Sequence, residues 1–165
     1  MNEFELVTLQ SGVKSLRDLQ SGETFHPVTG PWIEANVLHV EQQRIVQRAQ
    51  SVPKFVIWDV GLGAAGNVLA AIEALKDVHS EIEVHSFDHS LTALGFALQN
   101  APALEYLVPY QDILKELQVT RDVRPFPHIR WRLHLGDFGQ ALKTQVFPAP
   151  HAIFYDPYSP SRNVE

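Results

Sequence analysis

Apolar and polar residues are mixed over residues 4–9 (Phe-Glu-Leu-Val-Thr-Leu) and again over 13–17. Gln10-Ser11-Gly12 lies between the two runs, so the spacing predicts a short hairpin. Residues 20–31 carry Gly and Pro and read as a loop. Gly30-Pro31 then marks a helix entry, with Pro at the first helical position. Ile33, Val37, Val40, Ile45 and Ala49 follow at three- and four-residue steps, which predicts one helix to about Gln50.

After Pro53 the pattern becomes an alternation of strand and helix. Strands are expected over 55–60, Glu81 to Asp88, 129–135 and 151–155. Helices are expected over about 66–77, 91–99, 103–118 (the last two separated by Pro102) and 138–143. A loop with two prolines, Pro125 and Pro127, leads into the third strand. Such alternation implies an α/β fold with four parallel strands and helices on both faces. The expected organisation is one domain in two parts: a hairpin, loop and helix over 1–52 covering the active site, and a cofactor-binding core over 53–165. Because the last strand is followed so soon by Glu165, the sheet is expected to lack C-terminal strands.

The end of the first core strand adds chemistry. Residues 55–67 read Phe-Val-Ile-Trp-Asp-Val-Gly-Leu-Gly-Ala-Ala-Gly-Asn, so Gly61, Gly63 and Gly66 follow the strand at the spacing G-x-G-x-x-G and open a helix. That is the loop of a Rossmann-like, doubly wound sheet, where the backbone closely approaches a nucleotide-type cofactor. Alone it does not separate a dinucleotide from S-adenosylmethionine. Three acids favour the methyl donor. Asp59, two residues before Gly61, suits the ammonium of a methionine moiety and would repel a pyrophosphate. Asp88, at the next strand end, suits ribose hydroxyls, and Asp137, after the third strand, suits the adenine amine. Singly each is a helix start or a turn residue; jointly they line the carboxyl edge of the sheet, where ligands bind in open α/β folds. At the fourth strand end stands Asp156-Pro157-Tyr158, an acid and an aromatic suited to an amine on a planar base.

Composition narrows the classes further. There is no cysteine, which removes disulfides and thiolate chemistry, and the net charge of −6 argues against broad nucleic-acid affinity. No stretch reaches membrane-spanning length and no leader precedes the fold, so a cytoplasmic protein is expected. The eight histidines lack metal-site spacing. Lys115, Arg121, Arg124, Arg130 and Arg132, against Glu116 and Asp122, form a locally basic stretch with Phe126 and Trp131 that could touch phosphate and stack a base, although a charged, solvated loop is the commoner explanation.

Two further blocks resemble a known family. Gly22-Glu23-Thr24-Phe25-His26-Pro27-Val28-Thr29-Gly30-Pro31-Trp32-Ile33-Glu34, followed by His39-Val40, and Asp156 to Val164, are similar to the bacterial tRNA wobble-uridine aminomethyl methyltransferases (the MnmC methyltransferase domain, stand-alone MnmD type). Asp59 to Leu69 resembles that family's glycine loop, with Asn67 before an apolar residue and Leu. Pro27 after His26, Phe25 in place of Tyr and Gly66 in place of Leu depart from the pattern, as does the lack of a flavin-binding domain. The resemblance implies a class I methyltransferase fold and S-adenosylmethionine as cofactor. It implies tRNA as substrate and methylation of the amine of 5-aminomethyl-2-thiouridine. By position, Gly61, Gly63, Asn67 and Asp88 would hold the cofactor and Asp137 would face adenine. Asp156 and Tyr158 would serve the amine, and His26 and Glu34 would lie over the pocket. Rival readings are methyl or aminopropyl transfer to another small amine, a cofactor-binding remnant without activity, and NAD binding.

Overall fold

The computed structural model describes residues 3–156. Strands β1 (Phe4–Thr8) and β2 (Lys14–Asp18) form the antiparallel hairpin, in the register Phe4 to Asp18 through Thr8 to Lys14. Its turn is closed by the Gly12 N–H on Leu9 O at 2.9 Å.

The helical stretch after Pro31 is not one helix. It runs as α1 (Pro31–Ala35), a π-helical turn over Asn36–Glu41, and α2 (Ile45–Gln50) after a break at which Arg44 adopts φ +51°. Pro31 stands at the helix start, as its sequence position indicated.

Among the described residues the main sheet has five strands: β3 (Lys54–Val60), β4 (Glu81–Asp88), β5 (Asp122–Phe126), β6 (Ile129–Leu135) and β7 (Ala152–Tyr155), in the order β5-β6-β4-β3-β7. β6, β4, β3 and β7 are mutually parallel. β5 corrects the sequence reading, which had a loop there: it pairs antiparallel with β6. Pro125 is tolerated because β5 is an edge strand, with one side free of ladder bonds. The strand order reverses at β3, where β4 lies on one side and β7 on the other, giving a Rossmann-like sheet with its switch point at the β3–β7 crevice.

Helices α3 (Gly66–Leu75), α4 (Thr92–Gln99), α5 (Gln111–Thr120) and α6 (Phe138–Thr144) complete the fold, with a 3₁₀ segment over Glu105–Tyr110. The two faces of the sheet are covered unequally. Phe55, Ile57, Ile82, Val84, Ile129, Trp131 and Phe154 share one core with side chains of α1 to α5, among them Leu69, Ile72, Leu94 and Leu114. The opposite face carries Trp58, Phe87 and His134, covered by Phe138 of α6 and by Phe147. On that face β7 leaves Ile153 and Tyr155 exposed.

Candidate functional site

The parallel strands aim their carboxyl ends at one edge, and the chain places acids there. Asp59 lies one residue before the end of β3, Asp88 ends β4 and Asp156 follows β7. Between them runs the glycine turn. Gly61 adopts φ +91° and Gly63 φ +52°, and a Cβ on Gly63 would stand 3.2 Å from the Phe25 ring. Glycine is therefore needed at 63 for conformation and for contact. The turn is pinned from three sides: Gly61 N–H on Phe87 O at 2.9 Å, Gly63 N–H on Asp88 Oδ2 at 2.9 Å, and the Tyr106 hydroxyl on Ala64 O at 3.1 Å. Ala65, the residue before α3, gives that helix no side-chain cap.

Asp59 is 1% exposed and stands in register with Ser86 of β4. The Ser86 hydroxyl accepts from Trp131 Nε1 at 2.9 Å and hydrogen-bonds the Asp59 carboxyl. The other carboxyl oxygen, Oδ2, is buried with no partner among the described residues. Burial drives the Asp59 carboxyl up to about 7; the Ser86 bond opposes this, and the charges of Asp88 and Asp156 add to it. Asn67, in the first turn of α3, donates from Nδ2 to Asp156 Oδ2 at 3.2 Å, while its Oδ1 is buried and unpaired. A third orphan, His39 Nδ1, lies on the π-helical turn, whose ring packs on Phe154 at 4.6 Å between centroids. Burial lowers the His39 pKa, against the pull of Asp156 and with the help of His26, so the ring is neutral at pH 7.

The segment from β2 to α1 forms a cover over this edge. Phe25 packs on Gly63, and the His26 ring, held at φ +48°, reaches Gly66. Burial lowers the His26 pKa as well, opposed by Asp156 and Glu34. Glu34 shapes the cover. Its Oε1 accepts the backbone N–H groups of Val28 (2.9 Å), Thr29 (2.8 Å) and Gly30 (3.2 Å), and its Oε2 lies 3.7 Å from His26 Nδ1.

The structure thus brings together Asp59, Gly61, Gly63, Asn67, Asp88, Asp156, His26 and Glu34. Asp137 stands at the tip of β6, where it caps α6 by accepting the Gln140 N–H at 2.6 Å. Tyr158 lies outside the described residues. His39, which the sequence offers only within the resembling block His39-Val40, is marked in the structure by its buried Nδ1 and its π-helical setting, and π-turns concentrate at functional sites. The basic stretch is engaged within the fold, and Trp131, the ring offered for stacking, is fully buried in the core. Arg130 and Arg132 pair with Asp122, Arg132 also with Glu83, and Arg124 donates to Pro127 O. These groups flank the strand starts at Lys54, Glu81 and Ile129, the edge opposite the acids. Among the described residues no cluster of His, Asp and Glu could hold a metal ion, and no helix is long and apolar enough to cross a membrane.

The residues fit the methionyl end of S-adenosylmethionine. Two buried oxygens have no partner among the described residues, Asp59 Oδ2 and Asn67 Oδ1, and an ammonium supplies N–H groups to Asn67 and to the ionised Asp59 carboxylate.

No protein-family model matches the chain, and no curated protein matches it. Among solved structures it is similar to MnmC2 from Aquifex aeolicus, at 24% identity and a TM-score of 0.74 over 99% of this chain. The alignment covers 52% of that protein, so this chain spans about half its length. The likeness shows a shared fold.

Proposed function

We propose that this chain is an S-adenosylmethionine-dependent N-methyltransferase unit whose acceptor is the amine of 5-aminomethyl-2-thiouridine at the tRNA wobble position. One observation carries the reading: buried, donor-hungry Asp59 and Asn67 stand beside Asp88 and Asp156 at the switch point of a Rossmann-like sheet. The fold shared with MnmC2 and the resemblance of Gly22–Val40 to the wobble-uridine methyltransferases support it.

When bound, S-adenosylmethionine supplies an electrophilic methyl group on a sulfonium. Asp59 and Asn67 hold the methionyl ammonium, and Asp88, already fixed on the Gly63 N–H, keeps lone pairs for the ribose hydroxyls. Asp137 borders the adenine side. Asp156 attracts the incoming amine and, tied to Asn67, keeps it beside the cofactor edge. A carboxylate alone favours the protonated amine, which cannot attack. Neutral His39, whose Nδ1 has no other partner, takes that proton. His26 and Phe25 close the cover and exclude water.

Calorimetric binding of S-adenosylmethionine, followed by transfer of labelled methyl to tRNA bearing 5-aminomethyl-2-thiouridine, tests this. Cofactor binding without turnover on that tRNA refutes the acceptor; no binding refutes the class. A second reading, transfer to a small free amine, is favoured by the arginines: Arg130 and Arg132 are neutralised by acids, and Arg124 and Arg130 stand at the wrong edge to guide a nucleic acid. Turnover on free polyamines but not on tRNA would establish it.

A further inference from the structure

Among the described residues the buried carboxyl of Asp59 has no cation beside it. Lys54, the nearest charged residue of its own strand, is at the opposite end and pairs with Glu83. From β4 it faces Ser86 and Asp88, and from the end of β7 it faces Asp156; α3 presents Asn67, neutral and bonded to Asp156. His26 on the cover and His39 on the π-turn sit beyond, next to Asp156, and both are held neutral by burial. The group therefore meets one hydroxyl donor and two carboxylates, with one oxygen buried and orphaned. A carboxyl in that setting keeps its proton, because ionisation would place a negative charge out of water and next to two further carboxylates.

We infer that the site exchanges a proton for a cation: the ammonium of the cofactor's methionyl group enters as the Asp59 carboxyl releases its proton to solvent. The exchange balances. The Asp59 O–H bond breaks, its electron pair stays on oxygen, the proton leaves to the buffer, and an ammonium N–H donates to the vacated oxygen. One positive charge replaces another, so the acid cluster binds the ligand with no net change of charge. This rests on the cofactor reading above and deepens it. It makes cofactor affinity depend on pH below neutrality, rising about tenfold per pH step while Asp59 stays protonated in the free protein.

The test is calorimetry of the full chain at pH 6.5 with S-adenosylhomocysteine, in buffers of low and high ionisation enthalpy. The slope of heat against buffer enthalpy counts released protons. We expect about 0.7 proton per ligand for the wild type at pH 6.5, falling to about 0.1 at pH 8. Two controls isolate the group. 5′-Methylthioadenosine, which lacks the ammonium, binds with a slope near zero, and Asp59→Asn binds S-adenosylhomocysteine more weakly with no proton release. Binding with no buffer dependence in the wild type overturns the exchange while leaving the cofactor reading intact. An undiminished slope for Asp59→Asn, or for methylthioadenosine, overturns the assignment to Asp59. Absence of binding by either ligand removes the cofactor reading, and the exchange with it.

Discussion

Asp59 also sets the pH dependence of folding, and the size of that effect follows from its burial. In the unfolded chain its carboxyl titrates at 3.8; in the fold burial carries it to about 7. Between these values the native state binds a proton that the unfolded chain has released. Stability therefore falls as pH rises, by up to about 1.4 kcal/mol per pH step, and levels off above about pH 7. The accumulated cost is about 4 kcal/mol, a large share of the stability of a small domain. The histidines act with the opposite sign. His26, His39, His85 and His134 all have lowered pKa values in the fold, so stability gained from them rises with pH and is complete above about 6.5. Asp59→Asn removes the first effect and keeps the second. Urea unfolding of wild type and variant at pH 5, 6, 7 and 8 should show the variant gaining on the wild type with every step to pH 7 and then holding its lead. A stability difference that does not change between pH 5 and pH 8 would refute the reasoning.

Glu34→Ala removes the acceptor of three backbone N–H groups; we expect a loss of about 2 kcal/mol, faster hydrogen exchange at Val28, Thr29 and Gly30, and weaker cofactor binding through the loosened cover. His39→Phe keeps a ring on Phe154 but lacks Nδ1: cofactor affinity should hold within about twofold while methyl transfer at pH 7 falls by about a hundredfold and recovers at pH 9 to 10. A loss equal at all pH values would assign His39 a packing role instead. Phe147→Ala uncovers the aromatic layer on the second face and should cost about 3 kcal/mol. It should also raise the His134 pKa from about 4, where burial and the neighbouring His85 and Arg132 hold it, as followed by NMR titration.

Where the chain's pattern was strong, it was legible. The apolar runs of β3, β4 and β6, the glycine turn and the hairpin at Gln10-Ser11-Gly12 lie within a residue or so of the positions their periodicity indicates. β5 escaped because Pro125 and Pro127 read as loop, and only pairing with β6 shows that they belong to an edge hairpin. The break at Gln42 to Arg44 has no Gly or Pro to announce it, and a π-turn has no compositional mark. The same divide runs through the site. Asp59, Asp88 and Asp156 were visible as acids after apolar runs, whereas the isolation of Asp59 Oδ2 and His39 Nδ1 depends on what surrounds them in space. The partners of the arginines were hidden for the same reason: five cations against two acids is a local sum, and it omits Glu83, contributed by a neighbouring strand.

The hydroxyl beside Asp59 shows how the core face serves the edge. Trp131 is fully buried in β6, and its indole N–H has one acceptor, Ser86 Oγ of β4. With that lone pair engaged, the hydroxyl proton is directed along the sheet to Asp59 of β3. Three strands thus contribute one residue each to a chain that starts in the apolar core and ends at the carboxyl. Indole has no acceptor, so Ser86 Oγ must accept from Trp131, which leaves its own proton to turn to the Asp59 carboxyl. The chain fixes one oxygen of Asp59 and leaves the other for a ligand. A carboxyl with both oxygens satisfied would have no need of an ammonium, and one with neither would not stay in place to receive it.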